Sequence, residues 1–101
     1  MLITRPDLAA EMVTSLGDRP VCVLRGHGMV ATGSTVEETV TSAFTLDTLA
    51  RMGLAVAGAG GSGAALPEED LAELPDLGAG FNDRLMWRHR RALLAREGLD
   101  I

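Results

Sequence analysis

The chain has 101 residues with nine arginines, no lysine, fourteen acidic residues and one cysteine, for a net charge of −5. This length corresponds to one domain or part of one, and the negative charge disfavours general nucleic-acid binding. One cysteine excludes an internal disulfide. The sequence contains neither a membrane-spanning apolar stretch nor a signal-peptide pattern. We therefore expect a soluble cytoplasmic protein with no membrane association.

The charges are distributed unevenly along the chain. Residues 1–83 carry four arginines against twelve acids, whereas residues 84–101 carry five arginines against two acids. The basic C-terminal segment therefore needs a partner or solvent around it. At 47% hydrophobic residues the chain has an ordinary globular composition, which predicts a modest core.

The first predicted elements are a short helix and two strands. Thr4 is the expected cap of the helix, Pro6 lies in its first turn, and Gly17 ends it. Residues 20–25 and 28–33 are predicted to be strands, the first apolar as far as Leu24 and therefore central in its sheet.

A long helix is predicted next. Ser34 and Glu37 have the spacing of a capping box, and the apolar periodicity continues to about Ala57. Asp47 falls within the apolar stripe of this helix. A helix face rotated slightly toward water is the favoured interpretation of that acid.

The last part of the chain contains a glycine-rich segment and a basic helix. Residues 58–63 match G-x-G-x-x-G, but a helix precedes them where the dinucleotide fingerprint requires a strand, so we interpret residues 58–66 as a flexible linker. A short acidic helix is predicted after Pro67. A final basic helix is predicted within residues 82–97. The residues expected to share one side of it are Leu85, Met86, His89, Ala92 and Leu93.

His27 is the most informative residue of the sequence. It lies between Gly26 and Gly28 at the turn joining the two predicted strands, where glycine permits a tight turn and close approach of a ligand. Its imidazole could be a metal ligand or could hydrogen-bond the turn. A catalytic zinc site needs about three protein ligands, and no other histidine or cysteine here has ligand spacing to His27. No self-contained metal site is predicted.

Residues 20–57 resemble a known family. They read Pro-Val-Cys-Val-Leu-Arg-Gly-His-Gly-Met-Val, then Gly-Ser-Thr-Val-Glu-Glu-Thr-Val, then Leu-Asp-Thr-Leu-Ala-Arg. This pattern is similar to the C-terminal half of the class II aldolase/adducin domain. Residues 1–19 and the ending Arg84-Leu85-Met86-Trp87-Arg88-His89 resemble it more loosely.

The resemblance implies a fold, a metal and a partner. The fold is α/β of the α+β type, part of a three-layer α/β/α domain with a mainly antiparallel sheet, of which residues 1–101 would be the C-terminal half. His27 corresponds to the last of three histidines that hold a divalent metal, usually zinc. The other two, in an H-x-H motif, and an acid are then expected on a separately encoded chain, in a higher oligomer.

The implied chemistry is that of a carbon–carbon lyase. A metal-stabilised enediolate would serve retro-aldol cleavage or decarboxylation of a hydroxy-carbonyl or hydroxy-acid substrate, and equally epimerisation or dehydration. Gly26 and Gly28 would leave room for substrate, and Arg25 would bind its carboxylate or phosphate unless it simply faces solvent. The family's tyrosine acid is missing. His89 lies where such a tyrosine often falls, so it is either the acid or a surface histidine.

Two other interpretations remain open. Some members of the family resemble adducin and serve in assembly without catalysis, in which case the arginine-rich helix would be an interface. In a homo-oligomer, several copies of His27 could also meet around a symmetry axis and bind one metal. By the same resemblance, Asp47 replaces a glutamate of the family pattern and is expected to preserve a structural polar contact.

Overall fold

The computed structural model describes residues 2–78 and 80–99. Within them the chain forms α1 (Pro6–Leu16), β1 (Val21–Leu24), β2 (Gly28–Ala31), α2 (Val36–Gly58), α3 (Glu68–Glu73) and α4 (Asp83–Arg96). The two strands form an antiparallel pair. The predicted α+β class is confirmed. No described helix combines the length and the apolar character that crossing a membrane would require.

The first helix begins and ends for local reasons. Pro6 occupies the first turn, where its missing N–H costs nothing. At the other end Gly17 has φ of +53° and donates its N–H to the Val13 carbonyl at 3.0 Å, so glycine stops the helix as predicted. The predicted cap was wrong, however. Arg5 rather than Thr4 is the N-cap, and its guanidinium forms an ion pair with Asp7 at 3.1 Å.

The two strands form a hairpin that is shorter than the sequence suggested. Cys22 pairs with Val30 and Leu24 pairs with Gly28. One further bond, from the Thr32 N–H to the Pro20 carbonyl at 2.8 Å, continues the ladder past the strand ends. The ladder stops there within the described residues, because Pro20 has no N–H to donate in return. The strands therefore span four residues each, instead of the six predicted from residues 20–25 and 28–33.

The long helix has its cap one residue later than predicted. Thr35 is the N-cap, and its hydroxyl accepts the Glu38 N–H at 3.1 Å. The Glu38 carboxylate in turn accepts the Ser34 N–H at 2.7 Å. The predicted box of Ser34 and Glu37 was therefore wrong by one position. Both residue pairs have the same spacing and suitable side chains, so the sequence alone did not distinguish them.

Asp47 faces water, which confirms the interpretation favoured from the sequence. Its carboxylate accepts a hydrogen bond from Arg51 Nε at 2.8 Å, one helical turn along α2. That hydrogen bond, followed by the attraction of the opposite charge, raises the pKa of Arg51. Because the pair is exposed to solvent, it contributes little to stability.

α4 packs against α2 through a face that shares only Met86 and Leu93 with the one predicted. The half-buried residues of α4 are Asp83, Met86, Trp87, Arg90 and Leu93, spaced three to four residues apart. Three of the residues expected on the inner face are exposed instead: Leu85, His89 and Ala92. An arginine occupies the centre of the inner face, and its guanidinium lies over the ring of Phe44 on α2, 3.7 Å from the ring centroid.

The described residues do not enclose a core. None of them is fully buried, and large apolar side chains such as Val23 and Met52 are at least 60% exposed. The radius of gyration is 16.7 Å, against about 13 Å for a compact domain of this length. The predicted core was therefore wrong for these residues by themselves. The apolar stripes exist, but the helices and the hairpin leave them open.

Candidate functional site

His27 lies in the tight turn between β1 and β2. Its backbone N–H donates to the Leu24 carbonyl at 3.1 Å, which closes a four-residue turn. Gly26, the third residue of that turn, has φ of +67°, a conformation that a type II turn requires and glycine adopts without strain. The backbone of this turn, in which glycine and then histidine join the two strands, therefore fixes the position of the imidazole.

The imidazole of His27 is exposed. It is not enclosed by apolar side chains, and no hydrogen bond joins its ring to another described residue. The turn is held by the backbone amide of His27, so the ring is not needed to stabilise it. This geometry favours an imidazole available to an external group over one that serves the turn.

The space beside His27 is open as well. A Cβ placed on Gly28 would have no neighbouring atom within 4 Å. Among the described residues no group of three histidine, cysteine, aspartate or glutamate side chains is placed to hold a metal ion. A metal bound to His27 would therefore need at least one donor from outside the described side chains. The accessible imidazole of His27, with open space beside it, is suited to be one of the ligands of such a metal.

Arg25 is placed near both His27 and a cleft. It is exposed, two residues before His27, and it borders a cleft of about 370 Å³ between α1 and β1. Leu8 and Met12 from the helix and Val23 from the strand form the apolar part of the cleft wall, and Glu11 of α1 lines the cleft as well. The cleft therefore combines a positive charge, a negative charge and an apolar wall.

His89 is exposed on α4, and α4 contacts α2 but neither strand. His27 by contrast belongs to the hairpin. The described elements therefore do not bring the two histidines together through a shared contact, and His89 does not line the cleft that Arg25 borders.

Two features of α4 were missed from the sequence. The first is the inward position of Arg90, which its spacing from Met86 and Leu93 could have indicated. The second is a cleft of about 540 Å³ between the N-terminal turns of α2 and α4, which we call the α2–α4 cleft. Its lining includes Glu37, Glu38, Asp83, Arg84 and Trp87. Only tertiary packing brings these two helix starts together.

The hairpin histidine and the helix that follows it define the class of protein. The class II aldolase and adducin N-terminal domain matches residues 1–54, more than half of the chain. The chain belongs to this family. The match includes residues 1–19, where the resemblance seen in the sequence is looser. Members of the family generally depend on a divalent metal.

Its relatives include decarboxylases of one substrate. The chain is 53% identical over 92 residues to a 3,4-dihydroxyphthalate decarboxylase of Terrabacter sp. (strain DBF63), a match that covers 91% of this chain. Enzymes of the same name from Arthrobacter keyseri and Rhodococcus jostii (strain RHA1) are each 47% identical over 95 residues, 94% of this chain. The chain spans 38–39% of the length of these curated relatives. No solved structure was found to match it.

Proposed function

We propose that the chain is part of a divalent-metal-dependent decarboxylase of class II aldolase type, acting on a hydroxylated aromatic carboxylate such as 3,4-dihydroxyphthalate. The observation that carries this proposal is the exposed imidazole of His27, presented at the hairpin turn with open space beside it. Among the reactions that share the family chemistry, decarboxylation is favoured by the names of three relatives with 47–53% identity.

The proposed reaction replaces one carboxylate with a proton. A proton from an acid first adds to the ring carbon that carries the carboxylate, and a neighbouring phenolate oxygen becomes a ketone. The bond to the carboxylate carbon then breaks, carbon dioxide leaves, and the electron pair returns through the ring to that oxygen. A divalent cation bound at the site supplies Lewis-acid stabilisation of the negative charge that develops on the substrate oxygens.

This chain contributes binding and positioning to that reaction. His27, as neutral imidazole, would be one metal ligand, with its place set by the backbone bond to Leu24. Gly26 and Gly28 would let the substrate approach the turn. Arg25 would bind a substrate carboxylate, because a guanidinium matches a carboxylate with two parallel hydrogen bonds.

The remaining donors are proposed to come from a separately encoded chain carrying an H-x-H pair and an acid, with zinc as the shared metal. No group of donors among the described residues could replace them. His89 is the proposed acid. Because α4 contacts α2 but not the hairpin, another subunit or the rest of the domain would have to bring His89 to the substrate.

The test is the metal content and decarboxylase activity of the complete protein after His27→Ala. We expect the affinity for the metal to fall by about tenfold or more and bound metal to be lost, because changes to groups that only support a ligand already weaken metal binding by about 10–100-fold. The matched control is His89→Ala, which removes an exposed imidazole on α4. Because His89 is the proposed acid, this variant should keep its metal but lose decarboxylase activity. Unchanged metal content in His27→Ala would refute the role of His27.

A non-catalytic, adducin-like assembly subunit is the alternative. It predicts a complete protein in which His27→Ala changes neither metal content nor any measurable property of the complex. Decarboxylation of 3,4-dihydroxyphthalate by the complete protein, abolished in His27→Ala and not in a surface variant such as Arg96→Ala, would rule it out.

A further inference from the structure

Gly26 is the residue at which the hairpin turn takes a left-handed conformation. Its φ of +67° lies in the region that glycine enters freely and that asparagine enters more readily than most residues with a side chain. The turn is held at both ends, because Leu24 pairs with Gly28 and the His27 N–H donates to the Leu24 carbonyl. Residues 25–27 alone therefore reverse the chain, and the conformation of Gly26 decides how the backbone enters His27.

We propose that Gly26 is a positioning residue for the metal. This inference rests on the proposed function, in which His27 is a metal ligand. The Cα–Cβ bond of His27 follows from the peptide that joins it to Gly26, so the left-handed backbone at Gly26 sets the direction in which the imidazole leaves the turn. Gly26 acts on the metal through His27 and has no side chain with which to contact the metal itself.

A residue that avoids positive φ would change the direction of the His27 side chain. Because the ladder holds both ends of the turn, a change at Gly26 to negative φ has to rotate the peptide that precedes His27. Donor atoms of a metal site need to lie within about 0.2 Å of their preferred distances. The ring nitrogens lie at the far end of the side chain, so even a small rotation of the backbone carries them outside that tolerance.

Small size is the other property of glycine, and it makes the opposite prediction. If the metal site needs a small residue at position 26, asparagine would be worse there than alanine, because the asparagine side chain is larger. If the site needs the left-handed backbone, asparagine is better than alanine, because its short polar side chain hydrogen-bonds locally and tolerates that conformation. The order of the two variants therefore separates the two roles.

The test measures the Zn²⁺ affinity of the complete protein in these two variants. Protein freed of metal is titrated with Zn²⁺ alone, in competition with a chromophoric chelator. We expect Gly26→Ala to raise the dissociation constant by about tenfold or more, as changes to groups that support a metal ligand do. Gly26→Asn should bind Zn²⁺ with nearly the affinity of the unaltered protein, because asparagine keeps the left-handed turn.

Gly28→Ala is the matched control on the other side of His27. Gly28 does not have a positive φ, and a Cβ there would meet nothing within 4 Å, so this variant should keep its Zn²⁺ affinity. Co²⁺ in place of Zn²⁺ adds a readout of ligand geometry through its visible absorption. At saturating Co²⁺ the spectrum should change in Gly26→Ala and not in Gly26→Asn. Circular dichroism reports whether each variant is folded.

Unaltered Zn²⁺ affinity in Gly26→Ala would overturn the positioning role. A folded Gly26→Asn that binds Zn²⁺ at least about tenfold more weakly than the unaltered protein would overturn it as well, whether or not Gly26→Ala folds. His27→Ala separates this inference from the proposed function. Zn²⁺ lost in His27→Ala but kept in Gly26→Ala would contradict the positioning role alone, whereas Zn²⁺ kept in His27→Ala would contradict the proposed function and this inference together.

Discussion

Arg90 lies with its guanidinium 3.7 Å from the centroid of the Phe44 ring, and this contact joins α4 to α2. Nε of Arg90 is buried yet has no hydrogen-bond partner among the described residues. A buried donor without a partner costs about 1–3 kcal/mol, whereas a cation over an aromatic face gains about 0.5–2 kcal/mol. The contact is therefore a compromise, in which the charge is retained and one donor is left unsatisfied.

A double-mutant cycle should detect the attraction between these two side chains. We expect Arg90→Ala and Phe44→Ala each to lower the free energy of unfolding of the complete protein. Their coupling energy should be about 0.5–2 kcal/mol, measured by urea denaturation. The same cycle with Arg88, on the exposed side of α4, is the control and should give no coupling. A coupling of zero for Arg90 would show that the ring contact is not attractive.

The cap of α2 gives a second prediction. Thr35→Ala removes the hydroxyl that accepts the Glu38 N–H, and we expect a loss of about 0.5–2 kcal/mol in the free energy of unfolding. Ser34→Ala is the control, because Ser34 contributes its backbone N–H and not its side chain to the cap. An equal loss in both variants would mean that the structure has assigned the cap to the wrong residue.

The glycines on the two sides of β2 should differ in their tolerance of a methyl group. A Cβ on Gly33 would lie 2.7 Å from Thr39 Oγ1 and 2.9 Å from its backbone nitrogen, so the start of α2 must move. We expect Gly33→Ala to cost about 1–3 kcal/mol in thermal or urea unfolding.

Gly28→Ala is the matched control for Gly33→Ala. Its Cβ would meet nothing within 4 Å, and Gly28 does not have a positive φ, so the folded state should keep nearly its original stability. If the space beside His27 admits substrate, the same variant should nevertheless lower decarboxylase activity. Full activity in Gly28→Ala would contradict that use of the open space.

The proposed role of Arg25 makes a kinetic prediction. Arg25→Ala should raise KM for a dicarboxylate substrate by about tenfold or more, since hydrogen bonds to charged groups are worth about 1.5–3 kcal/mol. Arg19→Ala, which removes an exposed arginine preceding β1, is the control for the change in net charge. An unchanged KM in Arg25→Ala, together with normal metal content, would exclude the proposed carboxylate contact.

The family and the hairpin were predictable from the sequence because their signals are local. A turn that needs a positive φ at Gly26 and a histidine beside it can be recognised from a few consecutive residues. The pattern that resembles the class II aldolase family spans residues 20–57, and the matched region covers residues 1–54. The end of α1 at Gly17 follows from the same kind of local reason.

The sequence-based predictions were wrong where more than one residue suited the same structural position. Ser34 and Thr35 are both good caps, and each has an acid three residues later. The inner face of α4 was misjudged because Leu85 is more apolar than Arg90, whereas the Phe44 ring accepts the Arg90 guanidinium. These choices depend on the neighbouring element, which the local sequence does not specify.

The sequence by itself determined the family, the helices and strands, and the presentation of His27 between two glycines, because backbone sterics act over a few residues. Only the tertiary structure decided which face of α4 meets α2, that the starts of α2 and α4 border one cleft, and that the described residues leave their apolar faces uncovered. Those outcomes depend on contacts between elements far apart in the chain. A helix with two possible inner faces buries the one that its neighbour accommodates.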